Sequence, residues 1–185
     1  TDWTKHGYKV TIKRFYKWLK DTEDYLREVR WIKTTMKNNN HTLPTSLLTK
    51  QDVRKLIDVA DNPRDKALVS VLYEGGLRVG ELASLKLRNV NFDEYGAYII
   101  VNGKTGPRRV RLIASVGYLT SWIENHPDKN NPEAYLWVTL STNSNNNPLR
   151  CVIIRKILRK LGKKAGIKKK VNPHMFRPVS YTHLR

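Results

Sequence analysis

The sequence is poor in cysteine: Cys151 is the only one in 185 residues. An internal disulfide and a cysteine-built zinc cluster are therefore excluded. Set at the start of an apolar run, Cys151 reads as a buried, inert thiol. Acidic residues are also scarce, with 16 Asp and Glu against 35 Lys and Arg and a formal net charge of +19. No apolar run is long enough to span a bilayer, and there is no secretory leader pattern. No membrane partner is expected, and the localisation expected by default is cytoplasmic, with nucleoid association.

Apolar residues make up 39% of the chain, including five Trp and nine Tyr. That is enough to build a core, which argues against disorder of the whole chain. The charge bears on partners rather than on fold. Nucleic acid is the first expectation, because neutralising phosphates releases counterions whatever the base sequence. The basic residues are spread over several segments, which argues against a single helix lying on a membrane surface. The chain enters a helical pattern soon after Thr1, so it reads as a fragment at its N-terminal end.

Residues 8–20 carry Ile12, Phe15, Tyr16 and Leu19 at helical spacing. Lys13, Lys17 and Lys20 fall on another face, with Arg14 nearby; that face suits either solvent or DNA. Asn-rich residues 37–43, followed by Pro44, read as a linker. Past it, Thr49 and Asp52 form a capping box, with Leu48 and Val53 at staple positions. Asn62-Pro63 starts another helix, Gly75-Gly76 breaks it, and a new helix begins near Leu77.

Residues 97–101 and 108–112 are β-prone and flank Asn102-Gly103-Lys104-Thr105-Gly106, which predicts a hairpin with Lys104 at its tip. Helical pattern resumes over 116–125. Residues 142–147 read as a surface loop. A long helix is predicted over 149–165, with Ile153, Ile157 and Leu161 inward. Its remaining surface carries Arg155, Arg159 and Lys163 beside Lys156, Lys160 and Lys164. The fold class is mainly α with a small antiparallel sheet.

Two arginines, Arg78 and Arg177, frame the chemistry. A phosphodiester resists attack because charge grows on its non-bridging oxygens, and fixed guanidiniums offset that charge. His174, three residues before Arg177, can bond the same phosphate or move a proton. Lys104 can protonate a leaving oxygen.

Gly76-Leu77-Arg78-Val79-Gly80-Glu81-Leu82, then the Gly103-Lys104-Thr105-Gly106 hairpin, then His174-Met175-Phe176-Arg177, in that order, resembles the tyrosine recombinase (phage integrase) family. The likeness is strongest to archaeal and phage-type members. It implies that residues 1–42 are the C-terminal part of a helical core-binding domain with its linker. Residues 46–177 would then be an incomplete catalytic domain. It implies catalytic roles for Arg78, Lys104, His174 and Arg177, with Glu81 orienting the site. It further implies a nucleophilic tyrosine that forms a 3′-phosphotyrosyl bond, no metal or other cofactor, and a homotetramer on double-stranded DNA. Lys13, Arg14, Lys17, Arg155, Lys156, Arg159 and Lys160 are the DNA-binding candidates.

After Arg177 the chain departs from the family's His-Ser-x-Ala-Thr, reading Pro178-Val179-Ser180-Tyr181-Thr182 instead. Tyr181 lies too close to Arg177 to serve as this family's nucleophile, so no residue of the chain is assigned that role. Residues 178–185 resemble a translated sequencing adapter and are expected to be a non-native tail. His183 is accordingly left without a role. Two other functions fit parts of the pattern. One is a non-catalytic nucleic-acid-binding module gripping through 149–165; the other is an enzyme like a type IB topoisomerase, which shares the site chemistry.

Overall fold

A computed structural model describes residues 2–35, 48–103, 106–140 and 146–176. Lys104, Arg177, the linker 37–43, most of the Asn-rich loop and the expected tail 178–185 lie outside the described residues. The chain divides into two units, Thr1–Thr42 and Leu43–Arg185.

In the first unit, helix α1 spans Asp2–Leu19 and the single-turn helix α2 spans Arg27–Arg30. The expected apolar stripe on α1 does not form a core among the described residues. Ile12, Phe15 and Leu19 are 44%, 50% and 53% exposed, because one turn of α2 is too short to cover the 18 residues of α1. The buried residue of α1 is instead Lys13.

The second unit starts as its local signals dictate. Helix α3, Lys50–Asp58, is opened by Thr49: Asp52 N–H donates to Thr49 Oγ1 at 3.1 Å, and Thr49 N–H donates to Asp52 Oδ2 at 2.9 Å. Leu48 and Val53 are both buried beside this cap. Helix α4, Pro63–Gly75, follows Asn62, whose Oδ1 accepts from Asp65 N–H at 2.8 Å. It packs against α3 and against α6, Val116–Glu124. Ala67, Leu68, Val69, Val71 and Leu72 are fully enclosed, and each large aliphatic side chain among them contributes about 1.5–3 kcal/mol by leaving water.

Gly76 ends α4 at φ 54°, a left-handed conformation that reverses the chain with little cost only for glycine. Helix α5, Val79–Ala83, follows at once. Strands β1 (Val90–Asp93), β2 (Gly96–Gly103) and β3 (Gly106–Leu112) form an antiparallel sheet in that order. The hairpin register pairs Ile99 with Val110 and Gly103 with Gly106. β1 is not legible in the sequence because Asn91 and Asp93 are turn formers. Helix α7 spans Cys151–Lys164 and buries Ile154, Leu158 and Leu161. This corrects the expected inward face: Ile153 is 37% exposed and Ile154 takes its place. No described helix is long and apolar enough to cross a membrane.

Candidate functional site

Arg78 occupies the cap position of α5, just outside the helix. Leu77, Val79 and Leu82 are buried on either side of it and pin the backbone, so the guanidinium leaves the core from a fixed root. Glu81, three residues on, binds Arg78 twice. Its Oε2 accepts from the Arg78 backbone N–H at 2.9 Å, and its Oε1 accepts from Nη1 at 2.8 Å. The Glu81 side chain is 3% exposed and the Arg78 side chain 43% exposed. The carboxylate thus holds one edge of the guanidinium while the rest stays open to solvent.

A third residue, which the sequence reading missed, completes the cluster. Arg108 of β3 donates from Nη1 to Glu81 Oε1 at 3.0 Å and from Nη2 to Oε2 at 2.9 Å. This is the paired geometry that suits a guanidinium to a carboxylate. Alternation along β3 was the available signal: with Val110 inward, Arg108 shares its face, while Arg109 lies over the Tyr98 ring at 4.3 Å. Burial alone would raise the Glu81 pKa. The hydrogen bonds from Arg108 and Arg78 outweigh burial and bring it down to about 2. Glu81 is therefore a permanent anion shared by two guanidiniums, and the cluster retains a net positive charge.

The hairpin end closes on this cluster. A Cβ on Gly103 would stand 2.7 Å from Glu81 Oε1. Lys104 and Thr105 lie in sequence between the paired glycines, outside the described residues. The far end of β3 is held separately. Glu74 accepts from the backbone N–H groups of Ile113, Ala114 and Ser115 at 2.6, 3.0 and 2.8 Å.

His174 lies on a short 3-10 turn, Pro173–Met175, with its backbone N–H bonded to Asn172 Oδ1 at 3.1 Å. The turn is anchored by Phe176, which is fully buried, and by Val171 packed against Gly162 of α7. The His174 ring is exposed, and among the described residues no hydrogen bond joins it to Arg78 or Glu81. Helix α7 starts close to the arginine helix: the half-buried Cys151 thiol approaches Val79 O at 3.9 Å. Arg177 lies outside the described residues.

The basic candidates separate by environment. Lys13 donates to Ile32 O at 3.4 Å and sits 3.9 Å from the centre of the Tyr25 ring, so it is engaged within its own unit. Lys17 lies over the same ring at 5.0 Å, and Arg14 is exposed. On α7, Lys156, Arg159 and Lys160 are exposed and Arg155 is half-buried. Lys164 pairs with Asp61. Among the described residues, no three His, Cys, Asp or Glu side chains converge as metal ligands.

Comparison with known proteins gives a consistent picture. The model of the phage integrase family matches residues 46–185. The tyrosine recombinase XerA of Pyrococcus horikoshii is 36% identical over 158 residues, covering 80% of this chain and 51% of that protein. XerA of Pyrococcus furiosus is 38% identical over 146 residues, covering 77% and 49%. The chain spans about half the length of these curated relatives. A crystal structure of XerA recombinase superposes with a TM-score of 0.66 at 29% identity, covering all of this chain and 62% of that one. Lambda integrase bound to DNA shares the fold with a TM-score of 0.65 at 16% identity, covering 95% and 62%.

Proposed function

This chain belongs to the phage integrase family, and from that premise we propose that the whole protein recombines DNA at specific sites by cleaving and rejoining strands. The observation that carries the reading is the Arg78 guanidinium, rooted in the core and gripped by Glu81 along one edge while its side chain stays 43% exposed. Such a group is preorganised for a phosphate whose charge grows during attack.

The proposed reaction runs as a transesterification. A tyrosine, expected outside residues 1–185, attacks the scissile phosphorus with its phenolic oxygen and gives up its phenolic proton to water. The bond from phosphorus to the 5′ oxygen breaks, Lys104 supplies the proton that oxygen needs, and a 3′-phosphotyrosyl bond remains. Arg78 and Arg177 hold the non-bridging oxygens, with His174 beside them. Attack by the 5′-hydroxyl of another strand reverses the step and rejoins the DNA. The phosphodiester energy is conserved in the covalent link, so no metal or nucleotide is required.

Duplex DNA is the substrate, gripped through phosphates by Lys156, Arg159 and Lys160 of α7, with Arg155 beside them, and by Arg14 and Lys17 of the first unit. Lys13 serves better as support for Tyr25 than as a contact. Exchange between two duplexes calls for four copies, a homotetramer, acting at the nucleoid. Residues 1–42 are read as part of the core-binding domain.

The test is a nicked suicide substrate that traps the covalent intermediate. The intact protein should form the adduct, and residues 1–185 alone should not. Arg78→Ala in the intact protein should lose about 100-fold or more in cleavage with much less change in affinity. An equal, modest loss of both would identify a binding module instead.

A further inference from the structure

The reaction proposed above needs two parts at a fixed separation: the guanidinium on the phosphate and the hairpin that delivers a proton to the leaving oxygen. They belong to different elements, α5 and the β2–β3 hairpin, and one side chain spans them. Arg108 binds both carboxylate oxygens of Glu81, and Oε1 is shared with Arg78. The carboxylate is almost wholly buried while the Arg108 side chain is 38% exposed, so solvent screens this contact from one side and weakens it less than it would a surface pair. Arg108 stands two residues after Gly106, which pairs with Gly103, so the grip falls at the end of the hairpin. Gly103 itself rests on the same carboxylate. Arg109, the next residue, lies over Tyr98 and takes no part in the pair.

We propose that Arg108 is a positioning residue for strand cleavage: through Glu81 it fixes the hairpin that carries Lys104 against Arg78. The proposal rests on the function proposed above. Arg108 acts through the hairpin, without itself supplying the proton. Lysine is a poor substitute, because one ammonium cannot match the two-pronged contact.

The experiment uses the intact protein in single-turnover cleavage of two DNA substrates. One is ordinary; the other has sulfur in place of the scissile 5′-bridging oxygen. A thiolate leaves without being protonated, so the sulfur substrate relieves the need for an acid. On ordinary DNA, Arg108→Ala should cleave about 10- to 100-fold more slowly, and Arg108→Lys about 10-fold more slowly. On the sulfur substrate both deficits should shrink to within about three-fold, as should that of Lys104→Ala, while Arg78→Ala stays impaired on both. Melting temperature and DNA affinity of each variant establish folding, and Arg108→Lys keeps the test valid if Arg108→Ala does not fold.

Rescue of Lys104→Ala without rescue of either Arg108 variant would overturn the positioning role and leave the proposed function standing. Arg108 variants that cleave ordinary DNA at the normal rate would overturn it as well. Failure to rescue Lys104→Ala would overturn the acid role itself, and the Arg108 proposal with it.

Discussion

Gly103 lies directly against Glu81, where an added Cβ would stand 2.7 Å from Oε1, 3.4 Å from Arg108 Nη1 and 3.5 Å from Arg78 Nη1. This glycine is required by space. The carboxylate cannot swing aside at low cost, because two guanidiniums and a backbone N–H hold it. Gly103→Ala should push the hairpin end away from Arg78. Cleavage by the intact protein is expected to fall about 10-fold or more, since displacements near 1 Å cost up to about 100-fold. Affinity for DNA should stay within about two-fold, because the phosphate grip is spread over many contacts. Single-turnover cleavage measured beside a binding titration checks this; normal cleavage would mean the close approach is not needed.

Glu74 does for the far end of β3 what Glu81 does for the near end. Its carboxylate takes three successive backbone N–H groups and the Ser115 hydroxyl at the start of α6. Charge-assisted bonds of this kind are worth more than neutral ones, and an anion is favoured at a helix start. Glu74→Ala should lower stability by about 2 kcal/mol, and Glu74→Gln by about half of that. Urea midpoints at constant slope report both values. Equal stability of the three proteins would show that water replaces the carboxylate without loss.

How far the sequence disclosed this arrangement depended on the range of the signal. Thr49, Asn62 and Gly76 act within one turn of the chain, and each cap or break lies where its residue type demands. The hairpin was legible from turn residues between two β-prone runs. Strand β1 was not, since its pairing with β2 overrides the turn preference of Asn91 and Asp93. Arg78 and Glu81 could be paired from i, i+3 spacing alone. Arg108 could not: alternation along β3 separates its face from that of Arg109, but Glu81 lies 27 residues away, and no local signal names it as the partner. Lys13 was misplaced for a related reason, since a lysine on a polar stripe gives no hint that Tyr25 and Ile32 will receive it.

On α7, Lys156 and Arg159 are exposed, while Lys164 is engaged by Asp61. If the first two touch phosphates, each should release about one counterion. A Lys156→Ala, Arg159→Ala double variant should weaken binding by a similar factor on target and unrelated DNA. Its salt-dependence slope should fall by about two. A selective loss on target DNA only would assign the pair to base readout instead.

The Glu81 carboxylate has an ordinary value of 4.5 and is held at about 2 in the fold. A depressed carboxylate stabilises the folded state fully above its unfolded value and loses that contribution as pH falls toward the folded one. The window runs from about pH 4.5 down to 2, and the whole shift corresponds to roughly 3 kcal/mol. Wild-type stability should therefore drop across this window more than that of Glu81→Gln, which has no charge to lose. Denaturant midpoints at pH 6, 4 and 3 test it; parallel losses in both proteins would place the acid sensitivity elsewhere.

His126 sets a second, milder acid limit. Its ring is buried and stacks edge-on to Trp122 at 5.0 Å between centroids. Nδ1 accepts the Asp128 backbone N–H at 3.1 Å, so Nε2 carries the proton and donates to Tyr135 O at 3.0 Å. That fixes the neutral tautomer, and protonating Nδ1 would set two donors against each other. Burial lowers the pKa, and it outweighs the Tyr135 carbonyl and the nearby Asp128 charge, which raise it. Below the ordinary imidazole value of about 6.5 the unfolded chain takes up a proton that the folded chain refuses. Stability is thus complete above that pH and declines as pH falls beneath it. Wild-type melting temperature should drop between pH 7 and pH 5.5, while His126→Gln, less stable at pH 7, should be nearly flat over the same interval. A wild-type profile as flat as the variant's would show that the ring accepts its second proton inside the fold.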